Sequence, residues 1–202
     1  MNYTGPKVRL SRQLGIALTP KAAAVMERKS YPPGQHGPAK GKGQKMSDYK
    51  RQLLEKQKLR FQYNIRDEKQ LRRYYEKASR KKGVTAENLI QLLESRLDSL
   101  VLRGGLAKTI YQARQWVVHG HVQVNGKPVD LPAYSLQAGD VVSVHPQSRK
   151  IDGFHAAMQQ AHPTDYVQLS KGDLSVILLR VPTREEVPIQ CDVVQVIEYY
   201  SK

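Results

Sequence analysis

Apolar positions recur at helical spacing through the middle of the chain and at strand spacing after it. From Ser47, a natural N-cap, Tyr49, Leu53 and Leu54 face inward while Lys50, Arg51, Lys56, Lys58 and Arg60 face outward. Asp67 opens a second helix in which Leu71, Tyr74, Tyr75 and Ala78 fall at i, i+3, i+4 and i+7. Thr85 caps a third, with Leu89, Leu92, Leu93, Leu97, Leu100 and Val101 as one core stripe. This helix ends at Arg103-Gly104-Gly105, where glycine permits the left-handed turn-off. Thr109-Ile110-Tyr111-Gln112 matches a capping box, and the helix it opens buries Ile110, Ala113 and Val117 before Gly120 stops it. Two helices joined by a short glycine-containing turn read as a helix-turn-helix-like unit.

The period then falls to two. His121-Val122-Gln123-Val124 alternates like a strand, and Asn125-Gly126 is the strongest two-residue hairpin signal a sequence can carry. Lys127-Pro128-Val129 leaves that hairpin, and Ala138-Gly139-Asp140 turns into Val141-Val142-Ser143-Val144. The apolar runs Leu174 to Val181 and Val193 to Tyr200 read as further strands. The fold class expected is α+β: a mostly helical N-terminal domain with a basic arm, and a helix-turn-helix-like domain with a small antiparallel sheet.

Residues 1–46 show little periodicity. Tyr31-Pro32-Pro33-Gly34-Gln35-His36-Gly37-Pro38 cannot be helical, and Lys40-Gly41-Lys42-Gly43 is flexible and positive. Charge gives the segment a meaning. Up to Lys82 there are 22 lysines and arginines against 6 acids, a surplus of 16; the remaining 120 residues hold 11 against 12. Such asymmetry points to a polyanionic partner. Tyrosine and histidine interleaved with the cations favour an arm that folds only against RNA phosphates over a solvated tail.

Other classes fall away. No stretch approaches the ~20 apolar residues of a spanning helix, so no membrane partner is expected. The first fifteen residues lack the apolar core of a secretory signal, and Gly5-Pro6 would break the amphipathic helix of a mitochondrial presequence. One cysteine, Cys191, excludes an intramolecular disulfide, and a reducing cytoplasm is the default. Gly41-Lys42-Gly43 lacks Walker spacing, and no dinucleotide fingerprint, nucleophile elbow or HExxH is present. Glu94 and Asp98, at i and i+4, could do acid–base work, but Arg96, Arg103 and Arg114 stand by to compensate them. His119 and His121 lack a third and fourth metal ligand; His119 suits the helix C-terminal dipole and His121 a polar strand position, and either could touch RNA.

The middle of the chain carries a resemblance. Ser95-Arg96-Leu97-Asp98, Gln112-Ala113-Arg114-Gln115, His119-Gly120-His121-Val122 with Val124-Asn125-Gly126, and Gly139-Asp140 resemble the small RNA-binding domain named after ribosomal small-subunit protein four. That domain also occurs in pseudouridine synthases, tyrosyl-tRNA synthetases and a small heat-shock protein. Tyr31 to Gly37, Ser47-Asp48-Tyr49, Glu55 to Arg60, Lys81 to Thr85 and Val196 to Ser201 resemble the ribosomal protein family itself, in the right order along nearly the whole chain. After residue 144 too little chain remains for the catalytic domain of a pseudouridine synthase. A stand-alone RNA chaperone or translational repressor is the other reading.

The resemblance implies a primary binder of small-subunit rRNA that sits at a helical junction of the 5′ domain and nucleates assembly. It implies contact with small-subunit ribosomal protein five, a place near the channel where messenger RNA enters, and support of translational accuracy. It also implies that the second domain is inserted into the first: an arm over 1–46, a helical domain over 47–93 completed by 183–202, and the RNA-binding domain over 94–182. Many relatives hold zinc with four N-terminal cysteines; none stands here, so no metal or cofactor is expected. Relatives often place a basic residue after the Ser/Thr cap. Ile110 stands there, and the role passes to Lys108.

Candidate RNA contacts follow. In the basic part they are Arg9, Arg12, Arg28, Lys40, Lys42, Arg51, Lys56, Lys58, Arg60, Arg72 and Arg73, with Tyr31, His36 and Tyr49 for stacking or sugar contact. In the second domain they are Arg103, Lys108, Thr109, Gln112, Arg114, His119 and His121. Tyr74, Tyr75, Tyr199 and Tyr200 read as core.

Overall fold

A computed structural model describes residues 3–35, 37 and 46–201, which form two compact units: residues 3–75 with 189–202, and residues 76–188. The class is α+β, with helices dominating the first unit and one five-stranded antiparallel sheet in the second. His36, Lys40 and Lys42 lie outside the described residues.

The first unit starts with two helices within the stretch expected as an extended arm, α1 (Lys7–Leu14) and α2 (Pro20–Arg28). Leu10 and Leu14 lie one turn apart, and with Ile16 they form a small core packed by Tyr3, Leu18, Leu54 and Phe61. Gly15 turns the chain off at φ +72°, the left-handed region glycine occupies freely. Thr19 caps α2 by accepting from the Ala22 N–H, and Pro20 sits in its first turn, where a missing N–H costs nothing. The loop beyond is folded back on itself. Arg12 donates to the Tyr31 carbonyl at 2.9 and 3.2 Å and to the Pro32 carbonyl at 3.4 Å, and a Cβ on Gly37 would fall 1.9 Å from the Pro32 oxygen.

Helix α3 (Asp48–Gln62) begins where expected, with the Ser47 hydroxyl accepting from the Lys50 N–H. Its buried residues are Gln52, Lys56 and Leu59; Leu53 and Leu54 are half-buried, Leu54 against the Leu10 core, and Tyr49 is exposed. The partner of the helix explains the burial of Gln52 and Lys56. Val193 to Tyr200, expected as a strand, is helix α9 (Val193–Ser201), and it packs along α3. Asp192 caps α9 by accepting from the Val194 and Gln195 N–H groups, Gln52 donates to Glu198, and the Glu55 carboxylate takes the Asp192 N–H. Tertiary packing and a cap override the β preference of the valines.

Helix α4 (Glu68–Arg80) keeps its expected stripe: Leu71 and Ala78 are buried, Tyr74 and Tyr75 half-buried, and the Tyr75 and Tyr200 rings stack at 5.1 Å. In the second unit α5 (Thr85–Glu94) follows. Val84 is its N-cap and Thr85 its first residue, so the threonine hydroxyl does not cap. Asn88 instead serves the end of α4, donating to the carbonyls of Ala78, Lys81 and Lys82. The stripe read as one long helix is broken after Glu94, and α6 (Leu97–Arg103) starts anew. The break has a cause: Leu136 N–H bonds the Ser95 carbonyl at 2.7 Å and Leu97 N–H bonds Tyr134 at 2.9 Å, so Arg96 is pulled into an extended conformation. By contacts, α5 groups with the second unit.

Thr109 caps α7 (Ile110–Val118), accepting from the Gln112 N–H. Gln112 reaches back one residue further than a capping box requires, to the Lys108 N–H at 2.8 Å. The strands are β1 (Val122–Val124), β2 (Lys127–Pro128), β3 (Val141–Val144), β4 (Val167–Ser170) and β5 (Ser175–Leu178), in the order β2-β1-β3-β5-β4. Asn125 and Gly126 both have positive φ, as a type I′ hairpin requires. Asn125 also donates to Asp140 at 2.8 Å and accepts from the Val141 N–H at 2.9 Å, locking the hairpin to the Gly139-Asp140 turn. Helix α8 (Asp152–Gln159) places Phe154 against Trp116 at 4.6 Å.

Candidate nucleic-acid interface

Charged side chains divide into those held by the protein and those left at its surface. In the second unit Glu94 and Asp98 are buried, each with its own arginine. Arg96 donates to Asp98 at 2.8 and 2.5 Å, and the Arg114 guanidinium stands 3.5 Å from the same carboxylate. Burial pushes the Asp98 carboxyl upward, and the two guanidinium groups oppose that. Arg103 donates to Glu94 at 2.9 to 3.3 Å, and the Tyr166 hydroxyl adds a bond at 2.9 Å. Burial and the Glu94 charge hold that hydroxyl far above its ordinary pKa, so it remains a donor. Arg103 and Arg114 were both expected to face RNA. Their side chains are only 15% and 14% exposed, and their charge is committed to buried carboxylates. The Glu94 and Asp98 pair is thereby a structural network.

Lys56, another candidate, is held by the protein in the same way. Its side chain is 5% exposed, its ammonium lies 3.0 Å from Glu68, and it sits 4.4 Å over the Tyr199 ring. Burial alone would raise the Glu68 carboxyl. Bonds from Tyr200 at 2.6 Å and from Lys56, with Arg60 nearby, outweigh it and hold the pKa below the usual carboxylate value. Arg60 is largely internal too, donating to the carbonyls of Ile65 and Arg66. It closes the turn after α3, where Asn64 adopts a positive φ.

What remains is a surface of exposed cations. Arg9, Arg28 and Arg51 are exposed, Lys58 is half-buried beside Glu55 at 2.6 Å, and Arg72 and Arg73 project from α4 opposite its apolar stripe. Lys77, Arg80, Lys81 and Lys82, not among the candidates, are exposed at the same end of the chain segment; the density of lysine and arginine there was the signal. Tyr49 is 59% exposed with its ring 5.9 Å from Tyr199, and Tyr31 lies 4.9 Å under the Arg12 guanidinium.

In the second unit Lys108 is exposed at the start of α7, while the neighbouring Ile110 is buried. Thr109 and Gln112 are occupied in capping. His119 is exposed; His121 is half-buried, bonded to Ser148 at 2.9 Å and edge-on to Trp116. Desolvation, with His119 and His145 as like-charged neighbours, lowers the His121 pKa. Among the described residues no three His, Cys, Asp or Glu side chains stand close enough to share a metal ion, and no helix is long and apolar enough to cross a membrane.

Comparison with known proteins agrees along the chain. The model of the ribosomal protein S4/S9 N-terminal domain matches residues 2–94, and that of the S4 domain matches residues 95–142. Small ribosomal subunit protein uS4 of Micrococcus luteus is 51% identical, with 96% of this chain and 95% of the relative covered. Its counterpart in Streptomyces griseus is 48% identical over 100% of this chain and 99% of the relative. That of Tropheryma whipplei is 49% identical over 96% and 97%.

Proposed function

The chain belongs to the family of small ribosomal subunit protein uS4, and we propose that it acts as a structural, non-enzymatic constituent of that subunit in the cytoplasm, binding rRNA at a helical junction of the 5′ domain. The observation that carries this reading is the division of cations. Arg96, Arg103 and Arg114 of the second unit are committed to buried carboxylates, whereas Arg9, Arg28, Arg51 and Arg73 of the basic part, with Lys77, Arg80, Lys81 and Lys82 after them, stand at the surface. Surface cations neutralise phosphates and release counterions, which supplies affinity. Specificity comes from shape: the narrow major groove of A-form RNA hides base edges, so a rigid surface selects one arrangement of helices.

The same reading gives the chain an early place in subunit assembly, contact with small-subunit ribosomal protein five, a position near the channel where messenger RNA enters, and a part in translational accuracy. Binding of the purified protein to a 5′-domain junction RNA and to a scrambled RNA of equal length, across a salt series, tests it. Preference for the junction that persists as salt rises supports a shape-reading ribosomal binder. Equal binding that collapses with salt would move the chain to the class of general RNA chaperones or translational repressors.

A further inference from the structure

A cleft of about 660 Å³ opens in the first unit between the α1–α2 lobe and α3. Its apolar wall is Leu14, Pro32, Met46 and Leu54, and Arg12, Arg51 and Lys58 also line it, with Glu55 as the single acid. We propose that this cleft receives one nucleotide extruded from the bound RNA, its base against the apolar wall and its phosphate on the cations. The inference rests on the RNA-binding reading above and adds to it a base-accepting site.

The chemistry is specific to that occupant. A base presents a flat, largely apolar face that any apolar or aromatic wall accepts, and its phosphate needs a cation within reach. Among the described residues the cleft has three cations against one carboxylate, Glu55, which holds Lys58 at 2.6 Å and leaves Arg51 and Arg12 as the surplus charge. Among the described residues Arg51 is bound to Asp48, and the two side chains are 55% and 80% exposed, so its guanidinium can turn to a phosphate at small cost. Arg12 is fixed by the Tyr31 and Pro32 carbonyls, which holds one wall in place before RNA arrives. Met46 is 46% exposed despite its apolar side chain, which a base would cover.

The test uses the full chain and the junction RNA, with Met46→Gln and Met46→Leu, both at an exposed position. Chemical probing of unpaired bases should show one base protected by the unaltered protein and by Met46→Leu. With Met46→Gln that base should regain reactivity, and affinity should fall about fivefold at every salt concentration with the salt slope unchanged. Equal affinity and an identical protection pattern for Met46→Gln would overturn the inference while leaving the RNA-binding reading intact. Failure of the unaltered protein to prefer the junction RNA would remove both.

Discussion

The Arg96 guanidinium and the Asp98 carboxylate, two residues apart at the start of α6, are bonded twice within a site where each side chain is at most 1% exposed. Arg114 approaches the same carboxylate from α7, so one acid ties together the two helices of the helix-turn-helix-like unit. Replacing Asp98 by Asn would leave buried guanidinium charge without its counterion. Breaking such a pair from one side costs about 3–5 kcal/mol. Urea denaturation of Asp98→Asn should therefore show a large drop in midpoint with an unchanged slope. A loss below about 1 kcal/mol would mean that the network contributes little to the fold.

Buried and surface cations of the first unit should behave oppositely. Lys56→Met removes a charge that no phosphate can reach, so it should lower stability by about 1–3 kcal/mol and leave RNA affinity in the folded protein unchanged. Arg73→Ala, on the exposed side of α4, should do the reverse, weakening binding and lowering the salt slope by about 1 with stability intact. Paired denaturation and salt-dependent binding curves separate the two. Loss of salt slope in Lys56→Met would contradict its burial.

Much of this was legible in the sequence, and the exceptions share a cause. Ser47, Thr109 and Asn125-Gly126 act as read because caps and hairpin turns are decided by a few adjacent residues. The burial of Lys56 and the helix from Val193 are not legible in the sequence because each depends on the other across more than a hundred positions. Once Asp192 caps α9, the Tyr199 ring lies against Lys56 and Glu198 takes a bond from Gln52. Arg103 and Arg114 looked like RNA contacts because a surface arginine and one spent on a buried carboxylate are the same letter. The break at Arg96 was set by Leu136 and Tyr134, forty residues on.

Acid should loosen the first unit through Glu68. Its folded pKa lies below the unfolded carboxylate value of 4.5, held there by the bonds from Tyr200 and Lys56. A depressed carboxylate stabilises the fold fully above its unfolded pKa, and that stability is lost as pH falls through the folded value. Chemical denaturation between pH 6 and 3 should thus show a fall in stability that starts near 4.5. In Glu68→Gln this contribution should be missing, so stability is lower at pH 6 and the fall is shallower. Parallel curves for both proteins would show that other carboxylates set the acid limit.

The N-terminal lobe has no cysteine cluster to staple it, and Arg12 takes over part of that task. One guanidinium fork holds the Tyr31 and Pro32 carbonyls and lies over the Tyr31 ring, joining α1 to a loop twenty residues away. Lysine keeps the charge but offers a point donor in place of a planar fork, and it stacks less well on the ring. Arg12→Lys should therefore retain the net charge and the global unfolding midpoint while releasing the loop locally. Limited proteolysis with trypsin should then cleave after the exposed Lys29, two residues before Tyr31, several times faster than in the unaltered protein. Hydrogen exchange should rise at Gly37, whose N–H bonds the Gly34 carbonyl, and stay constant in α3. Equal cleavage rates would show that the Gly34 turn and the close packing of Gly37 on Pro32 hold the loop without the clamp.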